Sequence, residues 1–299
     1  MKKILILGVG AQGSTVARRM DEEPKVAEII CADYDEKAVN ELVKDLKKAR
    51  GMKIDASKIE EIVAAAKGVD LIINALPLAF GPNVLEAAIE AKTNYQDFAA
   101  TDALTDNWVD GIKLMYTEYS RRFAENGKTA IIGTGSAPGL ICVVARNAMR
   151  YLDTCETIYN IVYEGVEAKR FLPFWWSPIT ALSDMSEDAY AYVNGEIIRT
   201  KPFSDPIYRK YDYLDEEVRL VEHAHDEPLH MGLNAEKFFK GAKNIYFKYG
   251  GAGVNFSEPL YRAGLLSRKP VEVDGVKVIP FNFVLKHLPP APKYKEEIK

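Results

Sequence analysis

Three cysteines in 299 residues are too few and too scattered to build anything covalent. Cys31, Cys142 and Cys155 form no C-x-x-C pair, which argues against a disulfide framework and a thiolate zinc site. That scarcity fits a reducing compartment, and a cytoplasmic location is expected. Long apolar runs are missing too. Ile4 to Leu7 ends at Gly8, short of the ~7–15 residues of a signal-peptide core. Nothing approaches the ~18 apolar residues of a membrane span. Runs of like charge are also lacking. Lys and Arg number 39 against 43 Asp and Glu, for a formal net charge of −4, with no basic stripe to follow a phosphate backbone. Neither nucleic acid nor a membrane is therefore expected as a partner. What is present is 47% hydrophobic residues, enough for a real core, in a chain long enough for two domains.

The first half alternates short apolar runs with amphipathic ones. Ile4–Leu7, Glu28–Ala32, Lys53–Asp55, Val69–Ala75, Asn94–Phe98 and Ala130–Gly133 read as strands. Between them Ser14–Met20, Glu36–Lys48, Ser57–Ala66 and Asn83–Ala91 read as helices, the last with Pro82 at its first turn. This alternation predicts an α/β class, a Rossmann doubly wound parallel sheet, over residues 1–151. After Tyr151, aromatics, Pro and short alternating strands take over. Asn194-Gly195 and Asp274-Gly275 are two-residue hairpin turns. Residues 152–299 are expected to form a smaller α+β domain with a mostly antiparallel sheet, binding substrate and making a homodimer contact. The last residues are expected to return toward the first domain.

Gly8-x-Gly10-x-x-Gly13 follows the first strand and opens the first helix. Gly8 permits the tight turn, Gly10 leaves room for a pyrophosphate, and Gly13 lets helix and strand approach. The backbone of Ala11 and Gln12 then offers the helix amino end to the phosphates. Asp33 stands twenty residues past Gly13, where an acid accepts from the ribose 2′-hydroxyl. It would repel a 2′-phosphate, so NAD is expected, with NADP possible through an Arg from elsewhere. Asp55 is either part of the adenine pocket or a solvated acid. Asn74, Leu76 and Pro77 close the fourth strand at the carboxyl edge, where ligands of such sheets collect.

The chain resembles the saccharopine dehydrogenase-like family, which includes lysine dehydrogenases and carboxynorspermidine synthases. The resemblance is carried by the Gly8–Gly13 loop, Asp70–Pro77, Asn94-Tyr95-Gln96-Asp97, Gly135–Leu140, Trp176-Ser177-Pro178, His225-Asp226-Glu227-Pro228 and Val271–Pro280. It implies an NAD(P)-dependent oxidoreductase acting on a C–N bond of an amino acid, with a Rossmann domain holding the nicotinamide against a substrate domain in a homodimer. The same fold run as an NADPH-linked reductive condensation is the alternative. A non-catalytic dinucleotide-binding protein is the third reading. The family often has Asp before its Pro-Gly, where this chain has Ala137. Family members also usually continue past this C-terminus, so either a shorter variant or a truncated chain is expected.

For chemistry, Asp97 is the candidate to hold a substrate ammonium or relay a proton, with Tyr95 beside it. A helix-cap Asp and a core Tyr are the plainer reading. Thr101-Asp102 reads as a cap. Gly135–Gly139 either offers a helix amino end to the ligand or makes a tight crossover. Downstream, Trp176, His225, Glu227 and Arg209 are the candidate substrate contacts, with Arg170 and Arg262 as further carboxylate clamps. His223-x-His225-x-Glu227-x-x-His230 has the look of a metal motif, but Pro228 argues against a regular helix there and no second cluster supplies a partner. No metal is expected, and a polar pocket or a solvated strand remain for that segment.

Overall fold

Leu5 and Leu7 point to one side of the first strand, Ile4 and Ile6 to the other, and both sides are buried. A strand covered on two faces needs apolar residues at every position, which is why this one shows no alternation. In the computed structural model, residues 1–99, 104–105, 107–165 and 168–292 are described. The predicted cap at Thr101-Asp102 and the tail 293–299 lie outside them. The chain divides into Met1–Ile141 and Cys142–Lys299. The division falls within the helix that begins at Leu140.

The first unit holds six parallel strands: β1 (Lys2–Leu7), β2 (Val26–Asp33), β3 (Ala49–Lys53), β4 (Leu71–Asn74), β5 (Asn94–Asp97) and β6 (Ala130–Ile131). Their order, β3-β2-β1-β4-β5-β6, is that of a Rossmann sheet. Helices α1 (Ala11–Glu22) and α2 (Glu36–Val43) cover one face through Ala17, Val39 and Leu42. The other face is packed by α3 (Ile59–Ala65), α4 (Gly81–Glu90) and, after α5 (Trp108–Leu114) and a π-helical turn, α6 (Ser120–Glu125). Pro82 sits in the first turn of α4, as expected. The third strand lies earlier than predicted, because it is an edge. Arg50 and Gly51 are exposed, and the Arg50 Nε donates to Glu28 at 2.8 Å, so hydrophobicity did not mark it. Asp55 consequently lies beyond the strand, in an exposed turn where its carboxylate accepts from the backbone and hydroxyl of Ser57.

In the second unit α7 (Leu140–Ala148) leads to β7 (Thr157–Glu164), α8 (Pro178–Asp184), β8 (Ala189–Val193), β9 (Glu196–Thr200), β10 (Ile207–Arg209) and β11 (Val218–Glu222). Then come α9 (Glu227–Gly232), α10 (Ala235–Phe238), β12 (Asn244–Gly251), α11 (Ala252–Arg262), the hairpin β13 (Val271–Val273) and β14 (Val276–Val278), and α12 (Pro280–His287). The main sheet runs β10-β11-β12-β8-β9, with β7 also on β12. Its pairs are antiparallel except β7 with β12, which run parallel over all eight residues. Both predicted hairpin turns form. Asn194 and Gly195, and likewise Asp274 and Gly275, take positive φ. The fold class read from the sequence therefore holds. Among the described residues no helix is long and apolar enough to cross a membrane.

Candidate functional site

The glycine loop is built to bring a helix end against the sheet with open space above it. Gly8 has φ +89°, and a Cβ there would stand 2.7 Å from the Ala75 carbonyl oxygen. At Gly13 a Cβ would fall 1.8 Å from the Gly8 oxygen, so the first turn of α1 rides directly on the loop. Gly10 differs. A Cβ there meets nothing within 4 Å, which leaves room for a ligand at the amino end of a twelve-residue helix. The first N–H groups of that helix have no intrahelical partners, and its dipole favours an anion in front of them. Asp33, ending β2, steadies the cradle. Its Oδ2 accepts from the Val9 N–H at 2.8 Å and its Oδ1 from the Asp35 N–H at 3.1 Å. The residues present thus fit a dinucleotide, with Gly8–Gly13 under its phosphates and Asp33 beside its adenosine ribose.

The crevice where the strand order reverses lies between β1 and β4. Asn74 ends β4 opposite Asp97 of β5 in the register. Its Oδ1 accepts from the Leu76 N–H at 3.1 Å, and its Nδ2 donates to the Tyr95 hydroxyl at 3.1 Å. That hydroxyl donates to Asp97 Oδ2 at 2.8 Å, and Asp97 Oδ1 takes the Gly133 N–H at 2.6 Å. All three side chains are buried, Tyr95 at 1% and Asp97 at 2% exposure. Burial and the neighbouring Asp97 push the Tyr95 phenol well above its usual range, so it stays a donor. The two catalytic candidates therefore form a brace under the carboxyl edge. They shape the strand ends and the Leu76-Pro77 turn rather than presenting a free acid.

The second unit contains a polar interior that the sequence only partly announces. His223, Ala224 and His225 continue beyond β11 and lie against β12. The His225 ring stacks on Phe247 at 4.0 Å and 4°, and His223 on Tyr249 at 4.6 Å. His225 Nδ1 is 2.6 Å from Glu227 Oε2, and Glu227 is fully buried. Burial drives His223 well below the usual imidazole range. Burial also opposes charging of His225, but the Glu227 carboxylate overcomes it and raises His225 to about 9. Pro228 does not prevent a helix here. It sits in the first turn of α9, where its missing N–H costs nothing. The solvated-strand reading of this segment is overturned, because His223 and Glu227 are buried.

Of the other candidates, Trp176 packs edge-on against Tyr249 at 6.3 Å. Arg209 is exposed on β10 and donates to its neighbour's carbonyl, Arg262 pairs with Glu258, and Arg170 donates to the Pro290 carbonyl. None of the three stands with Trp176 and His225 in these contacts. Gly135–Gly139 forms a tight turn in which the Leu140 N–H donates to the Gly135 carbonyl, ahead of α7. Sequence reasoning missed Glu164, Asp184, Glu222 and Lys248, acids and a base that only long-range pairing brings inside.

Glu164 ends β7 beneath Tyr249 and Trp175, and burial, partly opposed by those two, pushes its carboxyl up to about 7. An acid with a raised folded-state pKa favours folding at low pH, and that contribution fades as pH rises from about 4.5 to about 7. Thermal melting across this window is expected to show a stability decline that Glu164→Gln removes. An unchanged slope in the variant would assign the ionisation elsewhere.

Comparison with known proteins agrees with this architecture. Residues 4–131 match the family model described as saccharopine dehydrogenase NADP binding domain. Carboxynorspermidine synthase of Vibrio alginolyticus is 28% identical over 312 residues, covering 97% of this chain and 73% of the relative. That of Vibrio cholerae is 28% identical over 322 residues, covering 98% and 75%. Among solved structures, an apo saccharopine dehydrogenase (L-Glu forming) from Saccharomyces cerevisiae superposes with a TM-score of 0.65 at 16% identity. It matches 91% of this chain, which spans 62% of that protein's length. Residues 4–131 are thus similar to a saccharopine dehydrogenase NADP binding domain, and the first unit carries a glycine loop that fits a nicotinamide dinucleotide.

Proposed function

We propose that this saccharopine dehydrogenase-like chain joins an amine to a carbonyl compound by reductive condensation, using reduced nicotinamide dinucleotide. The amine and the carbonyl lose water to give an imine, and addition of hydride and a proton gives the secondary amine. The cofactor, when bound, supplies the hydride. The glycine loop, open at Gly10 and with its Val9 N–H held by Asp33, is the observation that carries the dinucleotide part of the reading. Similarity to the two Vibrio carboxynorspermidine synthases supports the condensing direction.

This chain's own groups divide the remaining work. Gly8–Gly13 and Asp33 would hold the dinucleotide. The Asn74–Tyr95–Asp97 brace fixes the strand ends at the carboxyl edge, which would support the nicotinamide half. In the second unit Glu164, poised near neutrality below Tyr249 and Trp175, is suited to meet a substrate ammonium and exchange one proton with it. Trp176 supplies an aromatic wall beside Tyr249. Asp33 disfavours a 2′-phosphate, so NADH is expected to bind more tightly than NADPH.

The test is a panel of amine and aldehyde pairs offered to the full chain with NADH or NADPH, following loss of reduced-nicotinamide absorbance. Turnover is expected only when amine and aldehyde are both present, with a secondary amine as product by mass spectrometry. Equal turnover with aldehyde alone would make it a carbonyl reductase. Tight cofactor binding without turnover on any pair, or with free amino acids and oxidised cofactor, would leave a dinucleotide-binding protein.

A further inference from the structure

We propose that the second unit holds one zinc ion on Asp184, His223 and His225. Their ligand atoms all lie within 4.8 Å of one another, and they come from two separated elements, the end of α8 and the segment after β11. The Ala224 N–H donates to the Asp184 carbonyl at 3.4 Å, which ties these elements together at the site itself. Around a tetrahedral zinc with bonds of about 2.1 Å, ligand atoms stand roughly 3.4 Å apart. The cluster therefore needs only a small inward movement of its side chains to close on an ion.

Two independent features point to a cation. His223 is 1% exposed, and its Nε2 is buried with no hydrogen-bond partner. An imidazole nitrogen stranded away from water costs free energy that a bound ion would recover. His225 shows the second feature. Its Nδ1 is engaged by the Glu227 carboxylate at 2.6 Å, which leaves Nε2 as the nitrogen available to a ligand. A carboxylate behind a histidine is the arrangement that orients metal-binding imidazoles. Glu227 is itself fully buried, with its Oε1 unpartnered, so it is fixed in place behind the imidazole. The rings are also held in place. Phe247 and Tyr249 stack beneath them, so neither imidazole must be ordered when the ion arrives.

Two imidazoles and one carboxylate suit zinc, with a further position left for water or a substrate oxygen. Glu227 acts behind the ligands as a positioning residue. The site stands on its own geometry and does not depend on which reaction the chain performs.

The experiment uses the full chain, stripped with a chelator and dialysed. Zinc is titrated by calorimetry, and cobalt(II) by its visible absorption. One equivalent is expected to bind, and X-ray absorption on the zinc form is expected to show only nitrogen and oxygen neighbours with imidazole scattering. His223→Gln and Asp184→Asn are expected to cut affinity by about 100-fold or more, and Glu227→Gln by about 10–100-fold. The absence of saturable binding at one equivalent would overturn the site. So would zinc held without imidazole scattering, a result that stands even if a variant fails to fold. Affinity unchanged in folded His223→Gln would show an adventitious surface ion only.

Discussion

Gly10→Val is expected to leave the protein folded and to cost it the dinucleotide. Position 10 has φ −64° and ψ −159°, which a side chain can adopt, and a Cβ there touches nothing within 4 Å. Folding therefore places no demand for glycine at that position. The demand comes from the space, which is where the pyrophosphate has to lie against the helix amino end. A valine fills it with three carbons and separates the phosphates from the N–H groups. Affinity is expected to fall by about 100-fold or more, equal to about 2.7 kcal/mol. The melting temperature without cofactor should stay within a few degrees of the parent, since an exposed substitution away from packing moves stability by about 0.5 kcal/mol. Calorimetry with NADH and NADPH, beside thermal melting, separates the two effects. Undiminished binding would move the dinucleotide away from this loop. Gly13→Ala makes the contrast, because its Cβ collides with the Gly8 oxygen and damages the loop itself.

That contrast shows what a sequence discloses. The dinucleotide cradle was legible because its parts are local: a strand, three glycines and a helix in one short stretch, and an acid at the end of the next strand. The chemistry of each position follows from its neighbours in the chain. The strand order was legible for a similar reason, since right-handed β-α-β connections leave few ways to arrange alternating elements. Asp97 and Tyr95 were found, with a core Tyr among the readings, but the burial of Asp97 was not. A charged residue usually faces water, and only the pairing of β4 with β5 brings Asn74 across from Asp97 and closes the brace. The second unit was harder still. Its core strand β12 joins β7, β8 and β11 from distant parts of the chain. Asp184 lies far in sequence from His223, and Glu164 far from Tyr249, so no spacing rule connects them. Pro228 misled because its effect depends on position: it is disruptive inside a helix and harmless at the first turn, where it stands.

The same long-range pairing creates the largest expected change in stability, at Lys248. This ammonium is fully buried on β12, 2.6 Å from Glu222 Oε1 on the neighbouring β11 and 2.6 Å from the exposed Asp205. Glu222 also accepts from the Thr200 hydroxyl at 3.1 Å, so the charges are enclosed and hydrogen-bonded. Burial raises the Glu222 carboxyl above its usual value, although Lys248 pulls it back. Lys248→Met removes that pull and strands a carboxylate in the interior. The expected loss is about 3–5 kcal/mol near neutral pH. At about 2–4 °C per kcal/mol this lowers the melting temperature by on the order of 10 °C. The sign with pH follows from the raised carboxyl. Protonated Glu222 carries no charge penalty, so the variant's deficit is smallest at about pH 5 and grows as the pH rises toward 8. Adding Glu222→Leu to Lys248→Met removes the stranded charge, while Asp205 returns to water at little cost. The double variant is therefore expected to recover most of the lost stability and to lose the pH dependence of the single one. Urea unfolding of the parent, the single and the double variant at both pH values measures this. A single variant that is equally destabilised at both, or a double variant no better than the single, would show that Lys248 acts through packing of its methylenes rather than through its charge.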